Sequence, residues 1–260
     1  MSNIKILVAS HKDCWTPCET IYVPISVGKF TINNSKFIKD DTNDNISSKN
    51  KNYCELTALY WGWKNLDYDY LGLVHYRRYF CSRSILYFKN KKKILSEKEL
   101  TKLLDKYDVI LPHKRNYYIE TSYSQYVHAH HEKDIIALKN TLTDYYPNYV
   151  DAFERVMSQR SGHRFNIFIM KKEYIKEYCS WLFDILKKLE PVISMEGYTD
   201  YDKRVFGFLA ERMLDIWIYT KEINFTELPI VNLESQHWCK KIASFLKRKL
   251  KGSLRDCHVI

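Results

Sequence analysis

Glycine is scarce in this chain, with 7 residues in 260. Neither GxGxxG nor GxxxxGK[ST] occurs in the sequence. That excludes the glycine-rich dinucleotide fingerprint and the P-loop. No apolar run approaches the ~20 residues needed to cross a bilayer as a helix. There is no internal repeat and no linker rich in proline, glycine or serine. The seven cysteines, Cys14, Cys18, Cys54, Cys81, Cys179, Cys239 and Cys257, are odd in number, and no secretory leader precedes them. Reduced thiols in a cytosolic protein are therefore expected. Cys14 and Cys18 have no partner pair at zinc-finger spacing, so no structural zinc is expected.

What remains is the composition expected of a folded soluble protein: 45% hydrophobic, 28% charged and 15% aromatic, led by 21 tyrosines. A chain of 260 residues is long enough for one large domain, or for one domain with an appendage. Its net charge of +10 suits nucleic acid, an anionic membrane face or phosphorylated small molecules.

Three short apolar runs end in basic clusters. Ile4 to Ala9 is followed by Ser10, His11, Lys12 and Asp13. Tyr70 to Phe80 reads YLGLVHYRRYF and turns abruptly from apolar residues to His75, Tyr76, Arg77 and Arg78. Asp108 to Leu111 meets Pro112 and then His113, Lys114 and Arg115. Such runs read as buried strands, and open α/β sheets bind ligands beyond the carboxyl ends of their strands. Each cluster is either an anion site or a solvated, ion-paired strand end.

Helical patterns lie between the strands. Cys54 to Asn65 places Leu56, Leu59, Tyr60 and Trp63 on one face, with Glu55 in the first turn. Asp67 and Asp69 form an Asp-x-Asp before the strand rather than after it. Ser96 to Lys106 opens with a capping box of Ser96 and Glu99. Asp40 to Asn52 and the charge run Lys89 to Lys93 read as polar loops. Beyond Tyr117 to Tyr126, which contains Glu120, come His128, His130, His131 and Glu132. A helix does not put 128, 130 and 131 on one face, which favours polar surface or substrate contact over a metal. Helices are expected over Glu132 to Tyr145 and Tyr149 to Met157, broken at Pro147. Phe165 to Met170 (FNIFIM) reads as a strand holding a polar Asn166, and Lys172 to Leu189 as a long amphipathic helix. In a helix over about Asp202 to Tyr219, Val205, Phe208, Leu209, Met213 and Ile216 form the buried stripe. Arg204, Gly207 and Glu211 share another face of it, either as an ion-paired surface or around a ligand. Ile223 to Leu233 is extended. Trp238 to Gly252 is a basic amphipathic helix, suited to an anionic membrane or packed on the core.

Six ordered stretches carry a family resemblance: DNISSKN (Asp44 to Asn50), CELTALYWGWKN (Cys54 to Asn65), GLVHYRRYF (Gly72 to Phe80), DVILP (Asp108 to Pro112), FNIFIM and RVFGFLAERML (Arg204 to Leu214). Together they resemble a bacterial family of capsular and exopolysaccharide biosynthesis glycosyltransferases, long carried as a domain of unknown function. The resemblance covers about Ile4 to Leu233. It implies a GT-A-like, Rossmann-type mixed α/β sheet flanked by helices, with helical additions. The domain would span residues 1–235, with 236–260 as the basic C-terminal helix.

The implied activity is transfer of a hexosyl unit, galactosyl or galactofuranosyl in some members, from a UDP-linked or other nucleotide-sugar donor. The acceptor would be a lipid-linked glycan or oligosaccharide. The expected location is cytoplasmic, peripheral on the inner face of the bacterial plasma membrane.

For the donor the resemblance points to His11, Asp44, Asn45, Lys49, Asn50, His75, Tyr76, Arg77, Arg78 and Arg204. For the acceptor it points to Asn166, Glu120 and His128. The base on the acceptor hydroxyl would be Glu211, with Asp200 and Glu55 as alternatives. In GT-A-like enzymes an Asp-x-Asp commonly follows the strand and holds a divalent cation on the donor diphosphate. Here His75, Tyr76 and Arg77 stand at that position, so cationic side chains are expected to replace the metal. No metal ligand is assigned, and a divalent cation (Mn or Mg) is the alternative. A non-catalytic nucleic-acid or polyanion-binding protein is the competing class. The scattered basic residues and the lack of a recognition motif argue against a nucleic-acid partner. A phosphoryl or nucleotidyl transferase would carry more acidic metal ligands.

Overall fold

The computed structural model describes residues 2–29, 32, 34–82 and 94–234. The charge run Lys89 to Lys93 and the helix expected over Trp238 to Gly252 lie outside the described residues. The chain runs β1 (Ile4–Ser10), β2 (Tyr22–Ser26), β3 (Ile38–Lys39), α1 (Asn50–Tyr53), α2 (Leu56–Asn65), β4 (Tyr70–His75), β5 (Arg78–Phe80), α3 (Glu97–Leu104), β6 (Val109–Pro112) and β7 (Arg115–Asn116). It continues through α4 (Ser122–Ala129), α5 (Glu132–Tyr145), α6 (Val150–Ser158), β8 (Ser161–Gly162), β9 (Phe168–Lys171), α7 (Lys172–Leu189), α8 (Val205–Thr220), β10 (Phe225–Leu228) and β11 (Ile230–Asn232).

The main sheet has the order β10-β6-β9-β4-β1-β2-β3. All of these strands are parallel except β9, which runs against β4 and β6. The central strands are apolar on both faces because both faces are covered. Successive side chains of a strand point to opposite faces. Leu7, Ala9, Leu71 and Leu73 therefore join the core formed with α2 and α5 to α8. Ile6, Val8 and Val74 face the core that contains Leu100 and Leu104 of α3. Gly72 sits where β4 meets β9 most closely: a Cβ there would lie 2.8 Å from Ile169 Cγ1 and 3.0 Å from the Phe168 carbonyl oxygen. The capping box of Ser96 and Glu99 is formed at the start of α3.

The helix expected over Cys54 to Asn65 forms from Leu56 to Asn65, but the end of the expected polar loop Asp40 to Asn52 is helical too, as α1. Cys54 takes φ 54°, ψ −130° and separates α1 from α2. The Asn50 side chain closes the break by donating to the Cys54 carbonyl at 2.8 Å and to Thr57 Oγ1 at 3.1 Å. The FNIFIM strand begins late, at Phe168, because Phe165 and Asn166 have φ 76° and 51°. The helix over Asp202 to Tyr219 opens as a 3-10 turn, Asp202–Arg204, before α8. Tyr60 and Trp63 of α2 are half-buried, and Trp63 stacks on Phe183 while Leu56 and Leu59 are fully buried.

Two outcomes are expected. Gly72→Ala forces the β4–β9 pair apart and lowers folding stability by about 1–3 kcal/mol, read by urea unfolding at unchanged m-value. The second concerns His130, which stacks on Phe208 at 4.0 Å and is pushed down from 6.5 to about 3 by burial and then by Arg212. Below pH ~6.5 the unfolded chain takes up a proton that folded His130 refuses. Stability therefore falls as pH drops from about 6.5 toward 3, by up to about 1.4 kcal/mol per pH unit from this residue. His75, lowered chiefly by burial, acts in the same direction. His130→Phe should flatten the dependence in thermal melts between pH 7 and 5.

Candidate functional site

The carboxyl edge of the parallel strands gathers the basic clusters. Register sets Ala9 beside His75. Tyr76 and Arg77 form the two-residue turn of a β4–β5 hairpin in which His75 pairs with Arg78. Because β9 is antiparallel, the residues before Phe168 lie at the same edge. The amino ends of α2 and α8 bring Glu55, Arg204, Gly207 and Glu211 toward it.

Arg78 is half-buried and its guanidinium lies 4.1 Å from the Phe165 ring centroid. Burial, and then the Arg77 charge, bring its pKa down to about 10. Among the described residues no carboxylate comes within ion-pair distance of Arg78. Arg77 reaches Glu234 at 3.5 Å, and its buried Nε has no hydrogen-bond partner among the described residues. Lys12 pairs with Glu234 at 2.8 Å and lies 4.9 Å above the Tyr76 ring. His11 packs edge-on against Tyr76 at 5.2 Å and lies in the field of Lys12, Arg77 and Arg204. Exposed Arg204 donates from Nε to Cys54 Sγ at 3.1 Å. Gly207 packs closely there: an added Cβ would stand 3.2 Å from that sulfur.

Beside the cations lies a carboxylate held on one oxygen. Asn166 Nδ2 donates to Glu55 Oε1 at 2.7 Å and to the Gly207 carbonyl at 3.1 Å. His75 Nε2 donates to the Phe165 carbonyl at 2.8 Å and lies 3.6 Å from Glu55 Oε1. Burial lowers the His75 pKa, so its ring is neutral near pH 7 and adds no charge to the cluster. Left-handed backbone at non-glycine residues costs of order 1–3 kcal/mol each and collects at functional sites. Cys54, Phe165 and Asn166 are three such residues around one carboxylate.

A buried network supports this turn. Arg164 contacts Asp215 at 3.2 Å, Ser122 Oγ at 2.7 Å, Tyr117 OH at 2.6 Å and the Glu211 carbonyl at 3.3 Å. His163 joins Asp215 at 2.5 Å and Glu227 at 3.1 Å. Sequence reasoning passed over Cys54, His163, Arg164, Asp215 and Glu234 as site residues, and named Lys12 only within the basic cluster that follows β1. One signal was legible: Asp215 is a charge inside the apolar run Met213 to Ile218 of α8.

The structure brings together His11, Glu55, His75, Tyr76, Arg77, Arg78, Asn166, Arg204 and Glu211. Arg78 feels the charges of Glu55 and Glu211. Glu211 also pairs with buried Arg212 at 3.2 Å. Asp200 is exposed and pairs with Lys51 at 3.1 Å and Lys203 at 3.7 Å. The DNISSKN residues make contacts of their own. Asp44 accepts from Tyr60 OH, Asn45 from the Ser47 amide, Lys49 pairs with Glu190 at 2.6 Å, and Asn50 closes the break at Cys54. Glu120 and His128 bond to one another at 2.7 Å.

Asp67 and Asp69 lie at the opposite, amino end of β4, bonded to Lys172 and to the Asn3 amide. Among the described residues no group of three His, Cys, Asp or Glu side chains could hold a metal ion. The hairpin residues, two arginines and a ring already engaged with a carbonyl, do not fit a divalent cation.

A mostly parallel mixed sheet with a polar, cationic carboxyl edge is the architecture of a GT-A-like glycosyltransferase fold. The apo structure of WbbM, a bifunctional glycosyltransferase, has this fold with a TM-score of 0.79 and 29% identity. The match covers 90% of this chain and 46% of that one, so the chain spans about half the length of that protein. Residues 5–222 match the model of the family described as Domain of unknown function (DUF4422), and the chain belongs to that family. No curated protein matches it.

Removing Arg164 leaves Asp215 buried without its guanidinium. Arg164→Met is expected to cost about 3–5 kcal/mol of stability, measured by chemical denaturation.

Proposed function

We propose that the protein is a glycosyltransferase that moves a hexosyl unit from a nucleoside-diphosphate sugar, UDP-linked, to a glycan acceptor of capsule, exopolysaccharide or O-antigen synthesis. The observation that carries this reading is Arg78: a half-buried guanidinium, stacked on Phe165 and without a carboxylate partner among the described residues. It stands at the carboxyl edge of a fold shared with a glycosyltransferase. A departing nucleoside diphosphate gains negative charge, and preorganised cations stabilise it most where water is displaced. Arginine suits phosphate oxygens through its planar fork of donors. Arg77, Arg78 and Arg204 do here what a divalent cation does behind an Asp-x-Asp. Lys12 and His11 extend the cationic edge along β1.

Removing a charged hydrogen bond costs about 1.5–3 kcal/mol. Arg78→Ala should accordingly weaken UDP binding by about ten- to a hundred-fold in calorimetry. Donor hydrolysis across a panel of nucleotide sugars should persist in EDTA. A complete loss reversed by Mn²⁺ would put a metal at the diphosphate instead. Single-stranded RNA bound more tightly than UDP at two salt levels would favour the polyanion-binding class.

The basic segment after Ser235 is proposed to hold the enzyme to the inner face of the plasma membrane, near a lipid-linked acceptor. Truncation there should abolish sedimentation with anionic vesicles, and persistent sedimentation would refute the assignment.

A further inference from the structure

The three carboxylates that could serve the acceptor hydroxyl differ sharply in their surroundings. Asp200 is 84% exposed and shared between two lysines. Glu211 is engaged by the buried guanidinium of Arg212. Glu55, with its side chain 10% exposed, is fixed from one side only. Asn166 Nδ2 holds Oε1 at 2.7 Å, and His75 approaches the same atom. No hydrogen bond among the described residues falls on Oε2. The two holding groups are themselves over-determined. Asn166 is buried and also tied to the Gly207 carbonyl, and His75 is tied to the Phe165 carbonyl. The backbone at Cys54, Phe165 and Asn166 is kept left-handed around them.

A hydrogen bond that only holds the fold does not require left-handed backbone at Cys54 and at an aromatic residue, Phe165, beside it. Strain of this kind marks a group whose orientation matters. Arg78 lies within the field of Glu211 and then of Glu55, and Arg204 within that of Glu55, so both carboxylates stand near the place assigned to the diphosphate and their own anchoring separates them.

We infer that Glu55 is the general base of the transfer and that Asn166 and His75 are its positioning residues. The inference rests on the glycosyltransferase reading. The acceptor O–H proton passes to Glu55 Oε2 as the hydroxyl oxygen forms its bond to the anomeric carbon. The bond from that carbon to the diphosphate oxygen breaks, and its electron pair leaves with the nucleoside diphosphate, facing Arg77 and Arg78. The configuration at the anomeric carbon inverts, and Glu55 returns the proton to solvent.

The test measures UDP release from a panel of UDP-hexoses, with water as acceptor, beside UDP affinity by calorimetry. A positioned base contributes about 10²–10⁴-fold. Glu55→Gln should lose UDP release by that factor and keep UDP affinity within about two-fold. Sodium azide, a nucleophile that needs no base, should restore release in Glu55→Gln and yield the glycosyl azide of inverted configuration. Asn166→Ala should lower kcat about ten- to a hundred-fold at unchanged KM, a split that general loosening of the fold would not produce. Near-wild-type release by Glu55→Gln, or loss of its UDP affinity, overturns the inference alone. A wild-type chain that binds no UDP overturns the glycosyltransferase reading and this inference with it.

Discussion

The buried pair of Arg164 and Asp215 is the interaction on which the edge of this protein depends. It joins the turn before β9 to the middle of α8, two segments about fifty residues apart in the chain. Two charges in an apolar interior are stable only when their remaining donors and acceptors are satisfied. Here they are: Arg164 also reaches Ser122, Tyr117 and two carbonyls, and Asp215 also takes the His163 ring and amide. This network over-determines the backbone that follows, and so allows Phe165 and Asn166 to hold left-handed conformations. Without that hold, FNIFIM would extend as an ordinary strand and Asn166 would not meet Glu55.

The cationic side of the edge has a different origin. A two-residue hairpin turns β4 back into β5, with Arg77 in the turn itself and Arg78 as the first residue of β5. Tyr76 and Phe165 give the cations aromatic faces to lie against. Such contacts position a guanidinium without neutralising it. Glu234 covers Lys12 and Arg77 but leaves Arg78 bare. The edge thus combines one anchored carboxylate with an arginine, Arg78, that no carboxylate among the described residues pairs, and the proposed proton transfer beside a departing diphosphate is built on that combination.

Much of the frame was legible in the chain. Near-continuous apolar runs such as Ile4 to Ala9 and Tyr70 to Val74 announce strands covered on both faces. The periodicity of Lys172 to Leu189 and Glu132 to Tyr145 announces their helices, whose bounds match the observed ones. The basic residues at the ends of β1 and β4 were legible because polarity changes there within one or two positions. The breaks were not. Cys54 and Phe165 adopt backbone conformations that their residue types disfavour, and only neighbours distant in sequence impose them. The contacts of Asp44, Asn45, Lys49 and Asn50 were equally hidden, since a polar turn can face a ligand or its own backbone with the same composition.

By itself, the sequence determined the α/β class, the long strands and helices, and the placing of arginines where a strand ends, while α1, α4 and the two-residue strands β3, β7 and β8 were not legible in it. The features it determined follow from local periodicity and from the cost of burying unpaired charge, which act over a few residues. Only the tertiary structure decided which carboxylate joins those arginines. That choice depends on an antiparallel strand inserted between parallel neighbours and on a buried ion pair between β9's approach and α8. Both are contacts between segments far apart in the chain, and no local pattern encodes their distance.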